Sequence, residues 1–323
     1  KDRIFGIRAE RDFEQLALEL FCFQAEENAV YKEYLAYLKI DKSQVSSLEE
    51  IPFLPISFFK THQVKTGNFN DTISFSSSGT GDGTTSMHTI SDVSVYENSF
   101  NTAFNLFYGD PKDWCVLALL PSYLERQGSS LIYMAESLIQ QSEDVDSDFY
   151  LNQWEELNIV LQKKEREGEK TLLLGVSFGL LDFVERYQIS FEGLIVMETG
   201  GMKGRRKEMI RSDLHAILKD GFGVEKIHSE YGMTELLSQG YSNGGGKFNC
   251  PPWVKISTRQ TDDPFTATRK GKTGGINVID LANIDSCAFI ETQDLGRIYE
   301  DGSFEVMGRF DNSDIRGCNL MVI

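Results

Sequence analysis

Lys226-Ile227-His228-Ser229-Glu230-Tyr231-Gly232-Met233-Thr234-Glu235 is the stretch on which the fold turns. Lys226-Ile227-His228 reads as the end of a strand, and Tyr231 to Glu235 as the polar segment that leaves it. In α/β proteins ligand groups gather at the carboxyl ends of strands. A threonine hydroxyl there can bond a phosphate oxygen, and a glutamate one residue on can hold Mg²⁺ beside it. The same residues also suit a tight turn with a helix-starting Thr-x-x-Leu. The stretch gains meaning from what lies on either side of it.

Upstream, Phe75-Ser76-Ser77-Ser78-Gly79-Thr80-Gly81-Asp82-Gly83-Thr84-Thr85-Ser86 is dense in hydroxyls and glycines. Glycines let backbone N–H groups approach an anion closely, and the hydroxyls donate further hydrogen bonds. No Gly-Lys-Ser/Thr closes the run, so it is not a Walker A loop, and GxGxxG is absent too. A surface hairpin is the alternative. Downstream come Thr292-Gln293-Asp294, then Gly308-Arg309-Phe310-Asp311. A carboxylate at Asp294 could accept both ribose hydroxyls, although most such aspartates cap turns. Arg309 and Asp311 flank Phe310 in what reads as a linker.

The wider pattern is α/β with a largely parallel sheet. Val116 to Leu120, Leu172 to Val176 and Leu194 to Met197 are compact apolar runs of strand length. Residues 129–140, 150–167, 178–187 and 203–219 fit the intervening helices, and that alternation is the signature of a parallel sheet. Before it, residues 12–39 repeat Phe13, Leu16, Leu20, Phe23, Tyr31, Tyr34, Leu35 and Leu38 at helical spacing, with Asp12 and Gln15 as a capping box. Pro52 and Pro55 end that pattern. After about residue 240 the chain turns to glycine-rich turns and short β pieces, such as Gly275 to Asp280 and Ala288 to Glu291. The expected divisions are a helical lead-in at 1–50, an α/β core with the phosphate loop at 51–240, a β-rich subdomain completing the nucleotide site at 241–307, and a hinge-like motif with a tail at 308–323.

Composition removes several function classes. The 323 residues carry 49 acidic and 32 basic side chains, a net charge of -17. Nucleic acid and anionic lipid both select basic surfaces, so neither is an expected partner. No run approaches the roughly 18 to 20 apolar residues of a membrane span. The chain starts at Lys1, without an initiator Met, which leaves room for a missing piece; Lys1 to Phe5 lacks the apolar stretch of a secretory signal. Cys22, Cys115, Cys250, Cys287 and Cys318 are scattered, odd in number and free of CxxC spacing. They read as reduced thiols of a cytoplasmic protein, and four dispersed histidines form no metal constellation.

The four motifs in this order resemble the adenylate-forming superfamily of acyl-CoA synthetases, peptide synthetase adenylation domains and luciferases. Within it the chain is most similar to the acyl-protein synthetases of bacterial bioluminescence. Three longer strings carry that likeness: Pro52-Phe53-Leu54-Pro55-Ile56-Ser57-Phe58-Phe59-Lys60, Leu120-Pro121-Ser122-Tyr123-Leu124-Glu125-Arg126, and Glu198-Thr199-Gly200-Gly201-Met202-Lys203-Gly204-Arg205-Arg206. The resemblance runs from about residue 50 to the end. It implies the adenylate-forming N-terminal-domain fold and ATP with Mg²⁺ as cofactors. The substrate it implies is a carboxylic, most characteristically fatty, acid, with a protein or carrier as final acyl acceptor.

By that resemblance Ser77, Ser78, Gly79, Thr80 and Gly81 wrap the ATP β,γ-phosphates. Thr234 contacts the α-phosphate, Glu235 holds Mg²⁺ and Asp294 binds the ribose. Arg309 neutralises charge on the phosphate or ribose side, Gly200, Gly201 and Tyr231 lie near the adenine, and Gly232 is a further cofactor-binding residue. Two departures stand out. The lysine that usually follows the phosphate loop is replaced by hydroxyls in Gly83-Thr84-Thr85-Ser86. Ordinary acyl-CoA synthetases also continue about a hundred residues past the hinge, into a swinging domain with a catalytic lysine. Here Arg316-Gly317-Cys318 is followed only by Asn319 to Ile323, so no full swinging domain is expected. In the acyl-protein synthetases the acyl group is held on a cysteine near the C-terminus, and Cys318 falls at that position. Nearby Arg316 would favour its thiolate. The alternatives are an acyl- or aryl-CoA ligase lacking its C-terminal domain, and a nucleotide- or acyl-binding protein without catalysis.

Overall fold

The computed structural model describes residues 1–77, 85–120, 128–200, 206 and 209–309. The chain forms two compact units, neither contiguous in sequence. One comprises residues 1–99, 234–238 and the chain from 249 on; the other comprises 100–233 and 239–248.

The second unit is built on a six-stranded sheet in the order Asp148–Phe149, Cys115–Leu119, Thr171–Val176, Leu194–Thr199, His228–Tyr231, Gly240–Ser242. The first five strands pair in parallel and the last joins antiparallel. Every residue of Cys115–Leu119 and Thr171–Val176 is buried, which is why these strands read as unbroken apolar runs without alternation. The register sets Val176 opposite Thr199, and Thr199 opposite Glu230. The carboxyl ends of three adjacent strands therefore finish in one row. Helices Ser130–Ser142, Trp154–Glu167, Ser177–Val184 and Arg211–Phe222 lie in this unit. The last begins later than the helix expected over 203–219, of which residues 203–205, 207 and 208 lie outside the described residues. Ile210 is extended and Asp213 sits in the first turn, where a negative charge favours a helix start.

The first unit carries an antiparallel sheet of Val254–Arg259, Thr273–Asp280, Phe289–Ile298 and Phe304–Arg309, paired in that order. Leu54–Pro55 adds a short parallel pairing, with Leu54 opposite Ile290. A separate hairpin joins Ile73–Ser76 to Met87–Ile90, and the Ser/Thr/Gly loop connects its strands.

The helical stretch expected over 12–39 is present as two helices, Glu10–Glu27 and Ala29–Tyr37, broken at Asn28. Asn28 is fully buried. Its Oδ1 accepts from the Tyr31 backbone N–H at 3.0 Å, as an N-cap does, and its Nδ2 donates to the Ser286 carbonyl at 2.9 Å. A side chain committed at both ends fixes the break. The expected Asp12–Gln15 capping box is also different: Ala9 is the N-cap, and Asp12 stands at the third helical position, accepting from the Ala9 N–H at 3.2 Å. Phe23 points to solvent, 45% exposed, whereas Phe21 is buried among Tyr31 and Phe289, with ring centroids 6.1 and 6.0 Å away. Among the described residues no helix is long and apolar enough to cross a membrane.

Candidate functional site

In the first unit, residues 234–238 form a short segment held at several points along its backbone. The His88 ring bridges two groups: Nδ1 lies 2.8 Å from the Thr234 carbonyl and Nε2 lies 2.8 Å from the Ser286 hydroxyl. The carbonyl only accepts, so Nδ1 carries the proton and Nε2 accepts from Ser286. Burial holds the imidazole neutral, with its pKa lowered to about 4. Asn283 Nδ2 donates to the Glu235 carbonyl at 2.8 Å. Asp280 accepts from the Leu237 N–H at 2.9 Å and the Ser238 hydroxyl at 2.7 Å, and burial pushes its pKa up to about 6. The Trp253 indole N–H lies 3.0 Å from Ser238 and 3.1 Å from Ser99. Thr234 and Glu235 thus ride on a backbone fixed by His88, Asn283 and Asp280.

Glu235 is buried. Burial raises its carboxyl above the ordinary value, while the Ser86 hydroxyl and the charges of Arg309 and Lys60 act against that rise. A burial-penalised carboxylate is relieved by a nearby cation. Among the described residues no group of three or more His, Cys, Asp or Glu side chains could form a cage for a metal ion. Mg²⁺ commonly takes one or two carboxylates together with waters and substrate phosphates, so a single buried Glu235 fits it.

Thr292-Gln293-Asp294 occupies a defect in the sheet. Asn277 pairs with Glu291, yet Gly275 pairs with Leu295, so these three residues stand opposite Ile276 alone. A bulge of this kind re-aims side chains and recurs beside active sites. Thr292 Oγ1 donates to the Ile276 carbonyl at 2.8 Å and accepts from the Asp294 N–H at 3.2 Å. The buried Arg259 guanidinium clamps the distortion. Nη1 donates to the Ile276 carbonyl at 2.9 Å and Asn277 Oδ1 at 2.8 Å, and Nη2 donates to the Thr292 carbonyl at 2.7 Å and pairs with Glu291 at 3.1 Å. Asp294 then faces Arg309 across the sheet, in register, with Arg309 Nε 3.4 Å from Oδ1. Arg309 remains 58% exposed.

Of the phosphate-loop residues only Ser77 is described; its N–H donates to the Ser86 carbonyl at 3.0 Å and its Oγ accepts from the Ser86 N–H at 2.8 Å. Ser78, Gly79, Thr80, Gly81, Gly201 and Cys318 lie outside the described residues. Burial pushes the thiols of Cys115 and Cys287 up to about 12, far from the thiolate form.

In the second unit Gly200 and Tyr231 stand at the row of strand ends. Gly200 has φ +66°, a conformation that suits glycine, and its carbonyl accepts from Ser177 Oγ at 2.6 Å. The Thr199 hydroxyl bonds the Glu230 carboxylate. Tyr231 packs edge-on to Phe248 at 6.0 Å, and Gly232 follows so tightly that a Cβ there would lie 2.3 Å from Glu230 Oε1. Beneath the row, Glu198 is buried against Ser177, with Arg211 and His215 each 3.5 Å from Oε1. Burial alone would raise its carboxyl, but His215 and Arg211 bring it net below the ordinary value. Arg259, His88 and this Glu198 group are missing from the roles inferred from the sequence. Only Glu198 carried a signal, as a charge inside an apolar strand.

Solved structures share this architecture. The ATP-bound MatB from Rhodopseudomonas palustris matches with 17% identity and a TM-score of 0.56, over 73% of this chain and 47% of that one. The chain thus spans about half of that protein's length. A 2-hydroxyisobutyryl-CoA ligase in complex with 2-HIB-AMP and CoA matches with 12% identity and a TM-score of 0.69, over 94% of this chain and 70% of the other. The fold is that of the adenylate-forming ligases. The profile of the LuxE acyl-protein synthetases matches residues 8–323, and the chain belongs to that family. Among curated proteins no match is found.

Proposed function

We propose that the chain activates a carboxylic acid, in keeping with its family a fatty acid, by adenylation with ATP, and passes the acyl group through Cys318 to a protein or carrier. The observation that carries this reading is the clamped Thr234-Glu235 segment with its buried carboxylate. In the first step a carboxylate oxygen attacks the α-phosphorus of ATP. The α–β phosphoanhydride bond breaks and pyrophosphate leaves with its electron pair. Thr234 donates its hydroxyl to an α-phosphate oxygen as charge develops there, and Arg309 offsets charge on the same side. Glu235 would hold Mg²⁺, which supplies charge neutralisation to the phosphates when bound. Asp294 accepts from the ribose hydroxyls, Gly200, Gly201 and Tyr231 adjoin the adenine, and Gly232 is a further cofactor-binding residue. Ser77, Ser78, Gly79, Thr80 and Gly81 wrap the β,γ-phosphates.

In the second step the Cys318 thiolate attacks the acyl carbonyl, a thioester forms and AMP leaves. The acceptor then takes the acyl group by a second exchange that regenerates the thiolate. The test is pyrophosphate–ATP exchange across a panel of acids, followed by intact mass of the protein. Acid-dependent exchange with an acyl adduct lost in Cys318→Ser is the expected result. Exchange without an adduct, with efficient transfer to CoA, would overturn the relay; binding of ATP with no exchange would overturn the activation.

A further inference from the structure

A groove of about 640 Å³ opens within the first unit, away from the residues assigned above. None of Thr234, Glu235, Asp294 and Arg309 lines it. Its walls are apolar, formed by Leu38, Val45, Leu48, Ile51, Phe53 and Ile279. Its polar lining includes Tyr34, Ser257, Asn277 and Glu291. The volume falls within the range of small-molecule sites, about 300–1,000 Å³, and apolar walls with a few polar groups are their usual make-up.

The polar groups specify what could fill it. Asn277 is 5% exposed, and its Oδ1 is taken by Arg259. Among the described residues its Nδ2 meets no hydrogen-bond partner, nor do the Tyr34 and Ser257 hydroxyls, and Glu291 meets Arg259 through Oε1 alone. An amide N–H pair asks for an acceptor, and a carboxylate oxygen asks for a donor. A carboxylate ligand only accepts and would sit against Glu291; an ammonium only donates and would leave Asn277 unmet. A hydroxyl or a primary amide does both. The charges facing the groove nearly balance as well, with Asp41, Glu49, Glu50 and Glu291 against Lys39, Lys255 and Arg259.

We propose that this groove binds a neutral amphiphile, an apolar chain or ring ending in a hydroxyl or primary amide, and discriminates against the corresponding carboxylate. Its head group bonds Asn277 and Glu291, the two residues that Arg259 ties to the Thr292–Asp294 bulge. Occupancy is therefore felt at the Thr292 backbone. Binding here uses none of the residues assigned to the acid-activating reaction and does not need ATP.

The experiment uses the full chain, ¹⁵N-labelled, with 1-decanol and decanoate as matched probes. The readout is the Asn277 side-chain amide and the Thr292 backbone amide. Decanol is expected to shift both in a saturable way, and decanoate to need a concentration at least about tenfold higher. Ala267→Trp, at an exposed lining position, is expected to abolish the decanol shifts. Asn277→Asp keeps the acceptor for Arg259 but removes the donor, and is expected to weaken decanol about tenfold or more. Equal potency of decanol and decanoate at these resonances would overturn the proposal. So would decanol shifts that survive Ala267→Trp.

Discussion

Replacing Arg259 with methionine tests whether the bulge that carries Asp294 is built by one buried guanidinium. Methionine matches the arginine stem in length and keeps the packing, so the change isolates the head group. It strips donors from the Ile276 and Thr292 carbonyls and from Asn277 Oδ1, and it removes the cation that pairs with the Glu291 carboxylate at 3.1 Å. Removing one member of a fully buried ion pair costs about 3–5 kcal/mol; Glu291 is 20% exposed, so about 2–3 kcal/mol is expected here. Glu291 is already pushed above its ordinary value by burial, with Arg259 opposing that rise. Adding Glu291→Gln to Arg259→Met removes the stranded charge and should recover about 1–3 kcal/mol. Urea unfolding followed by tryptophan fluorescence measures both, since the fully buried Trp253 reports on the same unit. A loss under about 1 kcal/mol for Arg259→Met would refute the reasoning, and a double variant no more stable than the single one would refute the charge argument.

Glu235→Gln should lower pyrophosphate exchange roughly 100-fold or more, while the urea midpoint stays level or rises, because burial already disfavours the carboxylate; retained exchange would remove Glu235 from the site. His88 and His228 are held neutral, their pKa values lowered to about 4 by burial. The unfolded chain therefore takes up protons first as pH falls below about 6.5, and stability present above that value is lost on the way to pH 4. Asp280, pushed up to about 6, works the other way, since ionisation is what its burial penalises and that penalty is relieved as pH falls from 6 towards 3.8. Between pH 7 and 5 His88 alone should cost about 2 kcal/mol, so His88→Asn should flatten the urea midpoint against pH; an unchanged slope would contradict it. Gly296→Ala drives a Cβ to within 2.4 Å of the Glu305 carbonyl and 2.5 Å of Ile276 Cδ1. Because backbone cannot swing aside, a loss of about 2–3 kcal/mol is expected by urea unfolding, and a neutral result would mean the sheet shifts freely there.

What could be read from the sequence follows from how each feature is encoded. The strands Thr171–Val176 and Leu194–Thr199 are legible because a parallel strand buried on both faces is a run of apolar residues, and nothing distant is needed to see it. The antiparallel strands Val254–Arg259 and Phe304–Arg309 are harder to see, since Lys255, Ser257 and Glu305 break the continuous run and leave only a brief alternation. In the sequence Asn28 is one more polar residue between helical ones, and what holds its side chain in the capping position includes Ser286, 258 residues away. The site divides in the same way. Tyr231 to Glu235 is legible as a motif because its residues are neighbours in the chain. The groups that hold it do not: His88 reaches Thr234 across 146 positions and Asn283 reaches Glu235 across 48. Arg259 is the sharpest case. In a line of sequence Ser257-Thr258-Arg259 is an ordinary surface strand, and a buried guanidinium is the reading composition least favours. Only the defect at Ile276, where three residues face one, creates the cluster of acceptors that makes burying it favourable. The motif residues and their supports are thus one device written in two ways, and the second becomes visible only when the strands are paired.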